Sequence, residues 1–505
     1  MRLLIIVVSL LLFGLIGSVH SQGAKPGKLS EELLAGYEST FQKEMIRFNV
    51  PGAAVAVVQG GEIVYAEGFG VRNVETGEPV TPETVFRVGS TTKSMTAMLA
   101  ATQVDEGLFD WDTPVTDLVS NFSLPTKALT QQTRVHDLMG MGTGLQDGLN
   151  YLYWKNPSAR TLFDTLSDSP VIGELGKVFY YNNQMYATAG YVGSLAQGVP
   201  YKDLPETYAA LMQERIYGPI GMNAAITEDP SEVSDNYAVG HETTVLGGSE
   251  SLSTLPNQPL AAVAPAGATS TDVISMAHYL ITQLSEGVAP DGTRVVSAEN
   301  LMRTWAPQTP FSAPAPANTV LEGYAMGWIG LTYNGIEIRN HSGGTGGFRT
   351  DMLFAPDDDF GIVIVTNSFS GQWFSNAMLF EMVDAYFGTE GDVLEQRFAR
   401  YQAHLEDLSA KAKTVVSPTV EAEKVSSLLG EYQRGWRVEV RNDALWVIGN
   451  GYTLRLLPTD SNYIANNGGD ETGTEFIFDK DTDGTVTLSI SGGADKVRHL
   501  VTKQE

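Results

Sequence analysis

The chain has 505 residues, with 59 acidic and 32 basic side chains, and a formal charge of −27 when its seven histidines are neutral. So acidic a chain lacks the basic face that phosphate neutralisation needs, which excludes a nucleic-acid partner and disfavours anionic membrane surfaces. It contains no cysteine, so disulfides, thiolate metal sites and a cysteine nucleophile are ruled out. With 43 % hydrophobic residues it can fill one large core and a smaller one.

Met1 and Arg2, the apolar run Leu3 to Ile16 and the small-residue positions Val19 and Ser21 predict an export signal over residues 1–21. The run is short of the ~20 residues that span a bilayer, so the expectation is a cleaved signal, a secreted or periplasmic protein and no stable membrane insertion afterwards. Glu31 to Asn49 has helical spacing, with Leu33, Leu34, Tyr37, Phe41, Met45 and Phe48 on one side. Gly52 to Val58 and Glu62 to Gly70 read as two strands around the turn Gln59-Gly60-Gly61. A mainly helical region follows from about Ser90 to Gln308. Strand patterns return at Met326–Leu331, Gly335–Asn340, Arg349–Phe354 and Gly361–Thr366, and Trp373 to Tyr386 predicts a closing helix. These elements predict an α+β fold: an antiparallel sheet built from both ends of the segment, flanked by helices, with a helical lobe inserted and a cleft between them. Glu395 to Lys413 reads as a polar helix. From Leu428 onward, six short strands with Gly/Asn/Asp turns predict a small all-β barrel or sandwich. The expected domains are 1–21 signal, 29–390 main domain, 391–427 helical linker and 428–505 β-domain.

Ser90-Thr91-Thr92-Lys93 lies where the strand-like Val85 to Gly89 gives way to a helical pattern. A serine starting that helix would have Lys93 one turn on and on the same side, among free backbone N–H groups that stabilise negative charge. Taken alone, the tetrad reads more simply as an N-cap. Two further segments change the balance. One is Phe179-Tyr180-Tyr181-Asn182-Asn183-Gln184-Met185-Tyr186; the other is His341-Ser342-Gly343-Gly344-Thr345-Gly346-Gly347-Phe348, between two predicted strands.

Together with Ser-x-x-Lys, these resemble the three motifs of the serine β-lactamase and penicillin-binding fold, in its class C and D-aminopeptidase/esterase branch, whose middle motif is Tyr-x-Asn and whose third is Lys-Thr-Gly or His-x-Gly. The resemblance spans about Leu29 to Gly388, with softer matches at Asp137-Leu138, Thr143-Gly144-Leu145, Pro265-Ala266-Gly267 and Tyr324 to Trp328. Residues after Leu428 are similar, more weakly, to the lipocalin-like or other small β-barrel domain often appended to such hydrolases. The resemblance implies an acyl-enzyme at Ser90, with Lys93 and Tyr181 sharing the proton work as a coupled pair. It implies that Asn183 holds Lys93 and the substrate, and that the backbone N–H groups of Ser90 and Gly344 form an oxyanion hole beside His341 and Gly343. Histidine in the third motif is largely neutral at pH 7, so short esters and D-amino-acid-containing peptides rank above β-lactams or D-Ala-D-Ala peptides. A non-catalytic binding protein of the same fold is the alternative of a different class. Arg349 offers a nearby charge but receives no role from the sequence.

Several patterns are set aside. Asp479-x-Asp481-x-Asp483-Gly484 imitates half a calcium loop, but Ile490 stands where a bidentate glutamate belongs, and a hairpin turn is the better reading. The remaining histidines show no metal spacing, and no metal or cofactor is expected. The absence of Gly-x-Ser-x-Gly argues against an α/β-hydrolase. Asn121-Phe122-Ser123 fits a glycosylation sequon, meaningful only in a eukaryotic chain.

Overall fold

The computed structural model describes residues 29–147, 158–252, 258–433, 436–449, 452–467, 472–492 and 496–503. The expected export segment lies outside them. No helix among the described residues is long and apolar enough to cross a membrane.

The main domain is organised by a seven-stranded antiparallel sheet. Its spatial order is Glu62–Gly70, Gly52–Gln59, Phe360–Thr366, Phe348–Ala355, Ile336–Thr345, Ile329–Tyr333 and Thr319–Tyr324. The chain's first two strands thus meet its later ones at the register Ala53↔Thr366 through Gln59↔Phe360, as the two-ended sheet requires. Successive strand residues face opposite sides. On the Gly52–Gln59 strand, Ala54, Ala56 and Val58 enter one apolar cluster, and Ala53, Val55 and Val57 enter another. Both faces are covered, which is why this strand and Phe360–Thr366 read as continuous apolar runs.

One face carries the terminal helices. Ser30 caps the Glu31–Arg47 helix through its hydroxyl on the Leu33 N–H. Phe41 from that helix packs 4.8 Å from Phe69 and 4.9 Å from Phe374 of the Gly371–Phe387 helix. The other face carries the helical lobe, whose centre is the Thr92–Asp105 helix, buried from Thr92 through Gln103. The strand-like segment before Ser90 is the strand Phe86–Arg87, and it joins two strands inside the region expected to be mainly helical, Thr269–Thr271 and Ala224–Ile226, in a small sheet. Those two strands are three residues long, too short for periodicity to register.

Two boundaries in the sheet differ from the expectation. Met326–Trp328 is a turn before Ile329–Tyr333, and the edge strand Thr319–Tyr324 is an addition to the predicted ones. The third motif is strand rather than connection: Ile336–Thr345 runs through His341–Thr345. Glycine is depleted in strands, so its Gly-Gly pattern hides a segment whose pairing with Phe348–Ala355 decides its conformation.

The Val393–Ala412 helix is packed on the main domain. Arg47 makes a two-pronged contact with Glu395 at 2.8 Å, and Phe48 lies 5.5 Å from Tyr401. Beyond it, eight strands from Gly430–Tyr432 to Lys496–Thr502 form an antiparallel meander in sequence order. A bridge between Tyr432 and Lys503 brings its first and last strands together, the closure expected of a small barrel. Two of its strands, Gly430–Tyr432 and Tyr463–Ala465, are three residues long and too short to show in the pattern. The calcium-like run is the hairpin between Glu475–Lys480 and Val486–Gly492. This domain touches the main one through the hairpin His241–Thr243/Ser249–Ser251: the Val245 N–H donates to the Asn466 carbonyl at 2.9 Å, and Val245 packs with Leu408, Leu457 and Ile464.

Phe41→Ala should cost about 3–5 kcal/mol, the scale for deleting a fully buried aromatic ring. Denaturant unfolding checks this, with the activity of the folded fraction unchanged because the ring lies on the sheet face opposite the helical lobe.

Candidate active site

Ser90 sits in a single 3₁₀ turn, Gly89–Thr91, immediately before the Thr92–Asp105 helix, and its side chain does not cap that helix. The turn depends on two glycines. Gly89 has φ +55°, and a Cβ there would lie 2.8 Å from the Gly344 nitrogen. Gly343 faces the turn so closely that a Cβ would come 2.0 Å from the Val88 carbonyl oxygen. Only residues without side chains allow the Ile336–Thr345 strand to approach the serine this way. Along Ile336–Thr345, the neighbouring strand Ile329–Tyr333 pairs with Ile336–Asn340 and no further. Residues 341–345 therefore extend past it and leave one strand edge beside Ser90.

Lys93 is fully buried and its Nζ contacts three oxygens: Ser90 Oγ at 3.0 Å, Asn183 Oδ1 at 2.7 Å and the Ala266 carbonyl at 2.7 Å. Burial pulls its pKa down to about 7, against which Asp147 acts as a partial counter-charge. Asn183 and Ala266 can only accept from it, so two of its N–H bonds are fixed. The third position faces Ser90 Oγ, as a donor in the ammonium and as a lone pair in the amine. Tyr181 hydrogen-bonds the Ser90 hydroxyl, and burial pushes its phenol well above the usual value. The Lys93 Nζ also lies 4.7 Å from the centre of the Tyr181 ring.

Asn183 opens the Asn183–Ala196 helix, whose cap is Asn182, accepting from the Met185 N–H at 2.8 Å. The Asn183 side chain is oriented by Asp147, which accepts from its backbone N–H at 3.1 Å and from its Nδ2 at 3.3 Å. That leaves Oδ1 facing Lys93. Sequence reasoning does not reach Asp147. Its only signal is position, two residues beyond Leu145 of the soft match Thr143-Gly144-Leu145.

His341 is 3 % exposed and lies with its ring 6.4 Å from that of Tyr181. Both ring nitrogens are occupied: Nδ1 is 2.7 Å from the Ser342 carbonyl and Nε2 is 3.0 Å from the Tyr324 hydroxyl. The carbonyl can only accept, so Nδ1 carries the proton and Nε2 accepts from Tyr324. Desolvation first, with the charges of Lys93 and Arg349 adding to it, lowers the His341 pKa to about 3. The imidazole is neutral throughout the physiological range.

All seven sequence-predicted residues thus meet around Ser90: Lys93, Tyr181, Asn183, His341, Gly343 and Gly344 come from three distant stretches. The arrangement offers a hydroxyl between an amine and a phenol, an open strand edge, and a neutral, fully hydrogen-bonded imidazole behind it. Such a site can activate a serine for attack on a carbonyl.

The fold and this site define a serine hydrolase of the β-lactamase and penicillin-binding class. The Beta-lactamase family matches residues 37–386, and the chain belongs to that family. A relative named unguisins hydrolase from Aspergillus campestris is 26 % identical over 399 residues, covering 75 % of this chain and 70 % of its own. Penicillin-binding protein 4 of Amycolatopsis lactamdurans is 24 % identical over 66 % of this chain and 85 % of its own length. A D-aminopeptidase of Gluconobacter oxydans is 26 % identical, covering 70 % of this chain and 62 % of its own. The solved structure of an octameric penicillin-binding protein homologue from Pyrococcus abyssi superposes with a TM-score of 0.60 at 21 % identity, covering 93 % of this chain and all of that one.

Gly343→Ala should destabilise the protein by about 1–3 kcal/mol, the range for overpacking. It should also abolish activity in the molecules that still fold, because the added methyl displaces the strand from Val88–Ser90. Thermal unfolding and turnover per folded molecule test the two effects separately.

Proposed function

We propose that this protein hydrolyses a small ester or amide, of the class of short esters and D-amino-acid-containing peptides, through an acyl-enzyme on Ser90. The observation that carries the reading is the contact of Lys93 Nζ with Ser90 Oγ inside a desolvated pocket. The names of the relatives, a hydrolase and a D-aminopeptidase, support the substrate class. The apolar residues 3–16 support export as part of the same reading.

In this mechanism Ser90 Oγ attacks the carbonyl carbon and its proton passes to the Lys93 amine. The backbone N–H groups of Ser90 and Gly344 receive the developing oxyanion. The C–O or C–N bond breaks as the Tyr181 phenol, which burial keeps protonated, gives its proton to the leaving group; the Lys93 ammonium replaces it. Water then attacks the acyl carbon, losing its proton along the same path, and Ser90 is released. Asn183 fixes Lys93, and His341 fixes the strand through Ser342 and Tyr324. A neutral His341 provides no cation for a penicillin carboxylate, which favours esters and peptides over β-lactams.

Ser90→Ala should abolish both turnover of an activated nitrophenyl ester and the one-to-one adduct with a fluorophosphonate; a variant that labels like wild type overturns the reading and favours a non-catalytic binding protein. A panel of nitrophenyl esters, D-aminoacyl anilides and a chromogenic cephalosporin ranks the substrates, and fast cephalosporin turnover without ester hydrolysis reverses the preference for esters and peptides.

The pH profile follows from Lys93. Below about 7 it is an ammonium and cannot take the serine proton; above about 7 it is the amine. kcat/KM for a neutral ester should rise along a single step centred near pH 7 and then level off, with no second step from His341, whose pKa of about 3 lies outside the range.

A further inference from the structure

The second motif carries its phenol on an irregular stretch. Residues 179–182 belong to no helix or strand, so no regular backbone ladder fixes Tyr181 against Ser90. Both flanks of Tyr181 are held instead by one residue of another loop. The Tyr180 N–H donates to the Met141 carbonyl at 3.0 Å, and the Asn182 N–H donates to Met141 Sδ at 3.1 Å.

Met141 adopts an unfavourable conformation to do this. Its φ is +55°, in the left-handed region, where a side chain crowds the backbone. Among the described residues, the other non-glycine positions with positive φ are asparagine, aspartate or Glu286, and none of them is buried, whereas Met141 is 2 % exposed. Such strain persists only where the surroundings impose it, and it collects at functional sites. Here the packing of the neighbouring residues imposes it. A Cβ on Gly142 would collide with Thr309 Oγ1, and one on Gly144 with the Gly173 carbonyl. The Gly176 N–H donates to the Gly142 carbonyl at 2.7 Å, and the Ile172 N–H to the Gly144 carbonyl at 2.8 Å. The loop is thereby pressed along the segment that leads to Tyr181, and the left-handed turn at Met141 brings its carbonyl and its sulfur to the same run of peptides. A thioether is a weak acceptor. A hydrocarbon side chain of similar size would nevertheless leave the N–H of the buried Asn182 without that partner.

We propose that Met141 is a positioning residue for Tyr181: by holding the peptides on either side of it, Met141 sets the place from which the phenol protonates the leaving group. This rests on the hydrolase reading and adds to it a residue that acts only through Tyr181. In the step concerned, the bond from the carbonyl carbon to the leaving oxygen breaks and the phenolic proton passes to that oxygen. The Lys93 ammonium then returns a proton to the phenolate. The need for that proton grows with the basicity of the leaving group.

The test compares kcat/KM for an ethyl ester and a nitrophenyl ester of one acid, per Ser90 labelled by the fluorophosphonate, in wild type, M141L, M141G and M141Q. M141L keeps the volume and deletes the acceptor. M141G suits the left-handed backbone and also deletes it, so the measurement stands if one of the two fails to fold. Both should lower kcat/KM for the ethyl ester roughly tenfold or more, a part of the full general-acid effect. For the nitrophenyl ester, whose leaving group departs without a proton, the loss should be less than about threefold. M141Q, whose amide oxygen can accept from the Asn182 N–H, should recover part of the ethyl-ester loss. In a Y181F background M141L should have no further effect, because no phenolic proton is left to place. Equal losses on both esters, an unchanged ethyl-ester rate, or an undiminished effect of M141L in Y181F each overturn the proposal. Failure of the wild type to label at Ser90 instead overturns the hydrolase reading, so the two failures are told apart.

Discussion

The site is built around the burial of one amine. Lys93 lies at the second position of its helix with no water to solvate it, and three oxygens from three separate elements replace that water. One comes from the 3₁₀ turn of Ser90, one from the start of the Asn183–Ala196 helix and one from the turn Ala264–Ala266. Leaving a buried ammonium unpaired is far more costly than pairing it, so each element must hold its place for the lysine to be tolerated. The same desolvation lowers its pKa toward neutrality, and reactivity and architecture share a cause.

The strand that faces the serine obeys a second constraint, close backbone packing. Gly89 and Gly343 bring Val88–Ser90 and the Ile336–Thr345 strand into contact without side chains between them. The strand is steadied from behind by His341, locked between Ser342 and Tyr324, and beyond its turn by the hairpin that starts at His241. There the His241 N–H donates to the Asn367 carbonyl at 2.9 Å, and a Cβ on Gly347 would lie 2.7 Å from the His241 nitrogen. The far end of that hairpin is held by Asn466 of the β-meander. The C-terminal domain and the motif strand are therefore joined by one continuous piece of hydrogen-bonded backbone.

Much of this is legible in the sequence, for identifiable reasons. The terminal helix, the first two strands and the later strands of the sheet announce themselves because apolar residues recur at the helical period or in unbroken buried runs. The motif residues are legible because hydroxyl, amine, phenol and amide at these spacings belong to a known chemistry. Short strands such as Thr269–Thr271, Gly430–Tyr432 and Tyr463–Ala465 are not, because three residues carry no period. The third motif reads as a connection because glycines mask strand character.

By itself, the sequence determined the hydrogen-bonding inventory: which residues could be nucleophile, base or acid, the absence of thiol chemistry, and an acidic surface unsuited to polyanions. Only the tertiary structure decided how that inventory is used. Whether Lys93 is an ordinary surface cation or an amine near neutrality depends on burial, and burial is made by residues about 90 and 173 positions away in the chain. The same holds for His341, whose neutrality follows from desolvation and the neighbouring Lys93 charge, and for Asp147, which orients Asn183 from a loop with no motif of its own. Protonation and orientation are set by the surrounding packing, and packing joins residues that no local pattern connects.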